Sequence, residues 1–157
     1  MKKLGICVTD FGHSQLSYRI LKEVNGLMLS RFDTPISIFY ENLDRPIGKL
    51  LTGYFNMSES WLFNGALVAT SHTTANKMMT ILGPRQKIYY VQDLDFLNNV
   101  VNSDIFYNLF CNSNMEILCR SQNHKKVIEN NFNVKVKGVV ENFDIKSLLE
   151  FVRGQDE

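Results

Sequence analysis

Short apolar runs, often β-branched or aromatic, recur along the chain, and the segments between them place apolar residues at helical spacing. This alternation constrains the fold more than any other feature. Strands separated by helices of ten or so residues imply right-handed βαβ crossovers and a mainly parallel sheet, buried on both faces. Leu4 to Thr9 is the first run, broken at Asp10-Phe11-Gly12. From Ser14 the apolar positions Leu16, Ile20, Leu21, Val24, Leu27 and Met28 predict a helix. Pro35 opens a strand over Ile36 to Tyr40. Residues 42–64 resist assignment because Pro46, Gly48 and Gly53 interrupt them, with a helical turn expected after Ser58.

Regular alternation returns with a strand over Ala66 to Ala69 and a helix capped by Ser71, carrying Ala75, Met78, Met79 and Leu82 and stopped by Gly83-Pro84. A strand over Ile88 to Val91 follows, then a helix capped at Ser103 or Asp104 with Ile105, Phe106, Leu109 and Phe110. Glu116 to Cys119 reads as a strand, Ser121 as the cap of a helix through Val127 and Ile128, and Val134 to Val140 as the last strand. Asp144 caps a terminal helix with Ile145, Leu148, Leu149 and Val152 on one face. The expectation is one α/β, Rossmann-like domain over residues 1–157, with a mainly parallel sheet of about six strands, helices on both faces and no second domain.

At 157 residues the chain is long enough for one domain with a real core. Its net charge of +1 does not indicate nucleic acid, so a basic surface for such a partner would have to be local. Three widely spaced cysteines with no C-x-x-C pair argue against zinc and against a disulfide framework, and Cys7 and Cys119 fall in strand-like runs as small buried thiols. No run approaches a membrane span or a secretory signal, so the expected compartment is cytoplasmic and no membrane partner is expected.

In parallel α/β sheets ligands bind beyond the carboxyl ends of the strands. The first such loop, TDFGHSQ, offers Gly12, His13 and Ser14 at a helix start. It lacks a dinucleotide fingerprint. His13 reads either as a general base or substrate contact, or as an exposed loop histidine. ATSHTTA gathers Thr70, Ser71, His72 and Thr73 at another helix start, which suits phosphate binding or plain capping. CRSQNHKK brings Arg120, a fork-shaped anion donor or a surface ion-pair member, next to Ser121.

The stretch KIYYVQDLDFL ends a strand with Gln92, Asp93, Leu94 and Asp95. Two carboxylates one residue apart can hold Mg²⁺ or Mn²⁺ against a sugar-nucleotide pyrophosphate, as in GT-A glycosyltransferases. Alternatively Asp95 starts a helix and Leu94 and Phe96-Leu97 tuck under the sheet edge.

Taken in order, GALVATSHTTANKM, KIYYVQDLDFL and ILCRSQNHKKVIENNFNVKVKGVVENFD resemble the amino-terminal, acceptor-side domain of GT-B glycosyltransferases over roughly residues 66–145. The resemblance implies that Gln92 and Asp93 lie on a cleft face near the acceptor, and it does not imply a metal at Asp93 and Asp95. It also implies sugar transfer to a glycan or a nucleic-acid base, with a nucleotide sugar as donor and no required cofactor. The expected donor-binding domain would then come from a partner subunit or a homo-oligomer. A free-standing, asparagine-rich version fits a bacteriophage gene acting in the host cytoplasm. The expected roles are His13 and Asp93 in catalysis, with Gly12, Ser14, Ser71, His72, Thr73, Gln92, Arg120 and Ser121 binding ligand. Two alternatives stay open: a non-catalytic module that binds nucleotide, phosphate or protein, and a minimal GT-A-type enzyme using Asp93 and Asp95 on Mg²⁺ or Mn²⁺.

Overall fold

The structure, a computed structural model, describes residues 3–30, 32–45, 48–98 and 100–153; Pro46, one of the expected breaks, lies outside them. Seven strands form a single sheet: β1 (Leu4–Val8), β2 (Ile36–Tyr40), β3 (Gly53–Asn56), β4 (Ala66–Ala69), β5 (Gln86–Val91), β6 (Glu116–Cys119) and β7 (Gly138–Val139). Their spatial order is β3-β2-β1-β4-β5-β6-β7, and every neighbouring pair is parallel. Five α-helices accompany them: α1 (Gln15–Leu29), α2 (His72–Met79), α3 (Ser103–Tyr107), α4 (Gln122–Phe132) and α5 (Ile145–Arg153). This is a Rossmann-like architecture, with the order reversing between β1 and β4.

Strand residues alternate between two cores, as the two-residue repeat of a strand requires. Ile6, Ile38, Val68, Ile88, Tyr90 and Leu118 face α1 and α5 on one side. Cys7, Phe39, Leu67, Ala69, Tyr89, Val91 and Ile117 face the other side, where α2, α3 and α4 supply Ala75, Met78, Phe106 and Ile128. The stripe expected on α5 is fully used: Ile145, Leu148, Leu149 and Val152 are all buried. At roughly 1.5–3 kcal/mol for each buried aliphatic side chain, this stripe is what docks a short terminal helix on the sheet. Tyr90 crosses to the same corner, donating to the Val140 carbonyl at 2.9 Å and meeting the Phe143 ring edge-on at 4.8 Å. Burial pushes its hydroxyl up to about 12. Among the described residues no helix is long and apolar enough to cross a membrane.

Four elements differ from the sequence expectation. α3 follows Asn102 with no side-chain cap from Ser103 or Asp104, and Leu109 and Phe110 lie in a π-helical turn over Asn108–Asn112 rather than in α3 itself. β3 emerges from the stretch that resisted assignment; it is an exposed edge strand, so it carries no buried alternation to read. Asn56 then caps a 3₁₀ turn over Met57–Leu62, with Glu59 returning a bond to the Asn56 amide. α2 ends at Met79, short of Leu82, which is exposed. The chain must leave the helix early to seat Gly83 on the backbone of Trp61, where an added Cβ would lie 2.1 Å from the Trp61 carbonyl oxygen. β7 is two residues long rather than seven, although the flanking Lys137 and Val140 amides still donate to the Ile117 and Cys119 carbonyls at 2.8 Å; the Val136 amide faces the other way and donates to the Glu129 carboxylate at 3.0 Å.

Candidate functional site

The carboxyl ends of β1 and β4 diverge where the strand order reverses, and a cleft of about 340 Å³ opens there. Its walls come from the loop after β1 (Thr9, Asp10), the first turn of α1 (Ser14 to Ser17), the β4–α2 junction (Thr70, Ser71) and the end of β5 (Tyr89, Gln92, Asp93, Asp95). No lysine, arginine or histidine is among these described lining residues. A larger groove of about 530 Å³ lies on the flank between α1 and α5, lined by helix residues and the Asp144 cap, and touches no strand end.

The loop after β1 is organised by Asp10. One carboxylate oxygen accepts from the amides of Gly12, His13 and Ser14 at 3.0, 2.8 and 3.1 Å. Gly12 makes this possible with φ of +98°, a conformation that a side chain would strain. Three amides that would otherwise greet an anion at the head of α1 are therefore bonded to the protein's own carboxylate. Ser14 caps α1, accepting from the Ser17 amide at 3.2 Å and donating to the Ser17 hydroxyl at 2.9 Å. His13 is exposed, its Nε2 lying 3.2 Å from the Arg45 carbonyl oxygen, and neither His13 nor Gly12 lines the cleft.

At the head of α2, Ser71 closes a capping box with Thr74. The Thr70 hydroxyl donates to the Cys7 carbonyl at 2.7 Å. Thr9 donates to the Ser71 hydroxyl at 3.2 Å, Ser71 and Thr73 share a bond of 2.9 Å, and Thr73 donates to Glu41 at 3.0 Å. The Thr9, Ser14 and Thr70 hydroxyls are thus each engaged as donors to protein acceptors. His72 begins α2 beside the Phe106 ring; its Nδ1 is buried without a hydrogen bond, 3.9 Å from Asp95 Oδ2.

Past β5, the two aspartates have different partners. Asp93 Oδ1 pairs with Arg120 Nη1 at 3.3 Å, while Asp95 lies by His72 and starts a 3₁₀ turn over Asp95–Leu97. Among the described residues no group of three or more His, Cys, Asp or Glu side chains is placed to hold a metal ion. Leu94 and Phe96 pack against the core, and Phe96 meets Phe106, Phe110 and Phe132 with ring centroids 6.0, 5.7 and 5.0 Å apart, while Leu97 stays exposed. This aromatic cluster fixes the loop that presents Gln92 and Asp93. Gln92 lines the cleft, and its Oε1 is buried without a hydrogen-bond partner.

Arg120 and Ser121 stand outside the cleft lining. Ser121 caps α4, accepting from the His124 amide at 3.2 Å and meeting His124 Nδ1 at 2.7 Å. Burial and the neighbouring Arg120 charge hold His124 below its ordinary value. Cys7 and Cys119 are buried free thiols, and burial raises both. The structure thus gathers Ser14, Ser71, Gln92, Asp93 and Asp95 around one cleft, and sets Gly12, His13, Arg120 and Ser121 apart from it; His72 and Thr73 sit on its α2 side without lining it. Thr9, Asp10, Gln15 and Ser17 join the site with no role expected from sequence, and Tyr89, whose aromatic character reads as packing, lines it as well. The signal for Thr9 and Asp10 was present, since both end the first strand, where the strand-end rule already points.

Comparison of the chain with protein-family models, with curated proteins and with solved structures gives no match.

Proposed function

We propose that the cleft binds a neutral, hydroxyl-rich ligand, the acceptor of a sugar-transfer reaction, and that the chain acts as the acceptor-side domain of a glycosyltransferase with a donor-binding partner. The lining of the cleft carries this reading: hydroxyls, two side-chain amides and the carboxylates of Asp10, Asp93 and Asp95, with no cation among the described lining residues. A phosphate is an acceptor-only anion, and it would meet carboxylates here and find the loop amides already bonded by Asp10. A polyol instead brings donors to the lining carboxylates and to the unpartnered Gln92 Oε1, and accepts from the Gln92 amide N–H. Ser71, Gln92 and Asp93, which fall within the stretches resembling GT-B acceptor domains, all line the cleft.

In this reading Gln92 orients an acceptor hydroxyl and Asp93 takes its proton as the hydroxyl oxygen attacks the anomeric carbon of a nucleotide sugar held by the partner, where the bond to the nucleoside diphosphate breaks and that group leaves. Arg120 positions the Asp93 carboxylate from the rim. The Asp93–Arg120 ion pair also favours a second reading, in which the cleft binds its ligand without chemistry because its candidate base is already engaged. Thermal-shift and turnover measurements with free saccharides, sugar phosphates and sugar nucleotides separate these outcomes. Stabilisation by neutral saccharides, with transfer once a donor-binding partner is added, is the expected result. Saccharide binding without product under those conditions favours the second reading, and stabilisation by phosphates alone contradicts both.

A further inference from the structure

On the other side of Thr73 lies a second cavity, about 390 Å³ in volume, between α2 and the 3₁₀ turn after β3, and the switch-point cleft does not account for it. Met57 and Ile81 give it apolar walls, and Trp61 stands at it with two thirds of its surface exposed (66%). Its charged element is unusual. The Glu41 side chain is only 7% exposed; its Oε2 accepts from the Thr73 hydroxyl at 3.0 Å, while its Oε1, buried without a hydrogen-bond partner, lies 2.9 Å from Lys77 Nζ. A carboxylate is placed so deeply only where its partners are fixed. The ion pair carries no net charge, while Lys77, more than half exposed, keeps further N–H donors free to face outward.

A broad exposed aromatic face beside a few fixed donors and acceptors is the lining expected of a small-molecule site, and the volume falls within the usual range. An indole face suits a ring with an apolar surface, and a charge-neutral donor–acceptor pair suits hydroxyls rather than an ionic group. Gly83 packs against the Trp61 backbone carbonyl and so fixes the main chain from which the indole projects. The hydrogen-bond chain Thr9–Ser71–Thr73–Glu41 joins this cavity to the cleft across the head of α2.

We propose that the Trp61–Glu41–Lys77 cavity is a second sugar-ring subsite, so that the chain binds a saccharide longer than one ring, running from the cleft past the head of α2 onto its flank. The choice of ligand rests on the sugar-binding reading above; the location of the subsite does not. Trp61 is the only tryptophan in the sequence, so intrinsic fluorescence reports on this cavity alone. Titration of the full chain with D-glucose, maltose and cellobiose is followed by Trp61 emission, and in parallel by the amide NMR signals of Thr9 and Ser71. The expected result is a saturable emission change with the disaccharides, at least fivefold tighter than with glucose. Calorimetry should show that advantage lost in Trp61→Ala, an exposed position where folding is spared, and reduced in Glu41→Gln. Cleft signals that move while Trp61 emission stays constant overturn the subsite and leave the cleft reading standing. Emission that responds while Thr9 and Ser71 do not supports the subsite and removes the cleft reading. A blue shift produced by protein concentration alone assigns this face to a second copy of the chain and overturns the proposal, as does a disaccharide advantage that survives Trp61→Ala.

Discussion

Asp10 decides what the first loop can bind. Its carboxylate holds three successive amides, and the arrangement depends on the left-handed Gly12 that turns them inward. Asp10→Ala removes a helix-cap type of interaction, at a cost of about 1–2 kcal/mol in stability. It also frees donors at the head of α1, where an anion is favoured. The expected outcome in thermal unfolding is a lower Tm and a new stabilisation by inorganic phosphate that the unaltered chain does not show. In the sequence, Asp10 read only as part of a break, because an Asp two residues before a Gly signals a turn without saying where its carboxylate points. Glu41 gives no signal in the sequence for a related reason: nothing at a strand end marks a charged residue for burial until its partners, Thr73, 32 residues on, and Lys77, arrive from a later helix.

Among the elements, α5 shows a cap and an apolar stripe reinforcing each other. Asp144 accepts from both the amide and the hydroxyl of Ser147, and these bonds hold its carboxyl below the ordinary value of 3.8. The folded-state value is the lower one, so the stabilisation is full above that ordinary value and fades as pH falls through the depressed one. Asp144→Ala should therefore cost about 1 kcal/mol at neutral pH, with the difference from the unaltered chain shrinking towards pH 3 in denaturant titrations. Burial pushes the neighbouring Glu23 in the opposite direction, so the comparison is made between the two proteins at each pH rather than on either alone. α5 was legible from its sequence because cap and stripe are both local signals. β3 was not, because an exposed edge strand owes its existence to pairing with β2 rather than to any alternation of its own. The early end of α2 was equally hidden, since it follows from Gly83 meeting Trp61, two residues from different connections.

For the whole molecule, the parallel order β3-β2-β1-β4-β5-β6-β7 places a cleft beyond the ends of β1 and β4, and the residues lining it carry the proposed chemistry. The class of fold could be read from the alternation of runs, because each run had to be buried on both faces. Strand order could not, since nothing in a run says which neighbour it will take. That order moves Ser71 and Gln92 into one cleft with Thr9 and Asp10, and leaves His13 and Arg120 outside the lining. An anion-binding expectation drawn from helix starts thus becomes an expectation of a neutral ligand once the cleft's lining is assembled. The most direct test is an ¹H–¹⁵N correlation titration of the chain with a neutral saccharide such as maltose and, separately, with glucose 6-phosphate. The account predicts saturable shifts with the neutral sugar, clustered at Thr9–Ser17, Thr70–Ser71 and Gln92–Asp95, and weaker binding of the phosphate. Shifts driven by the phosphate at those residues, or neutral-sugar shifts that avoid them, would contradict it.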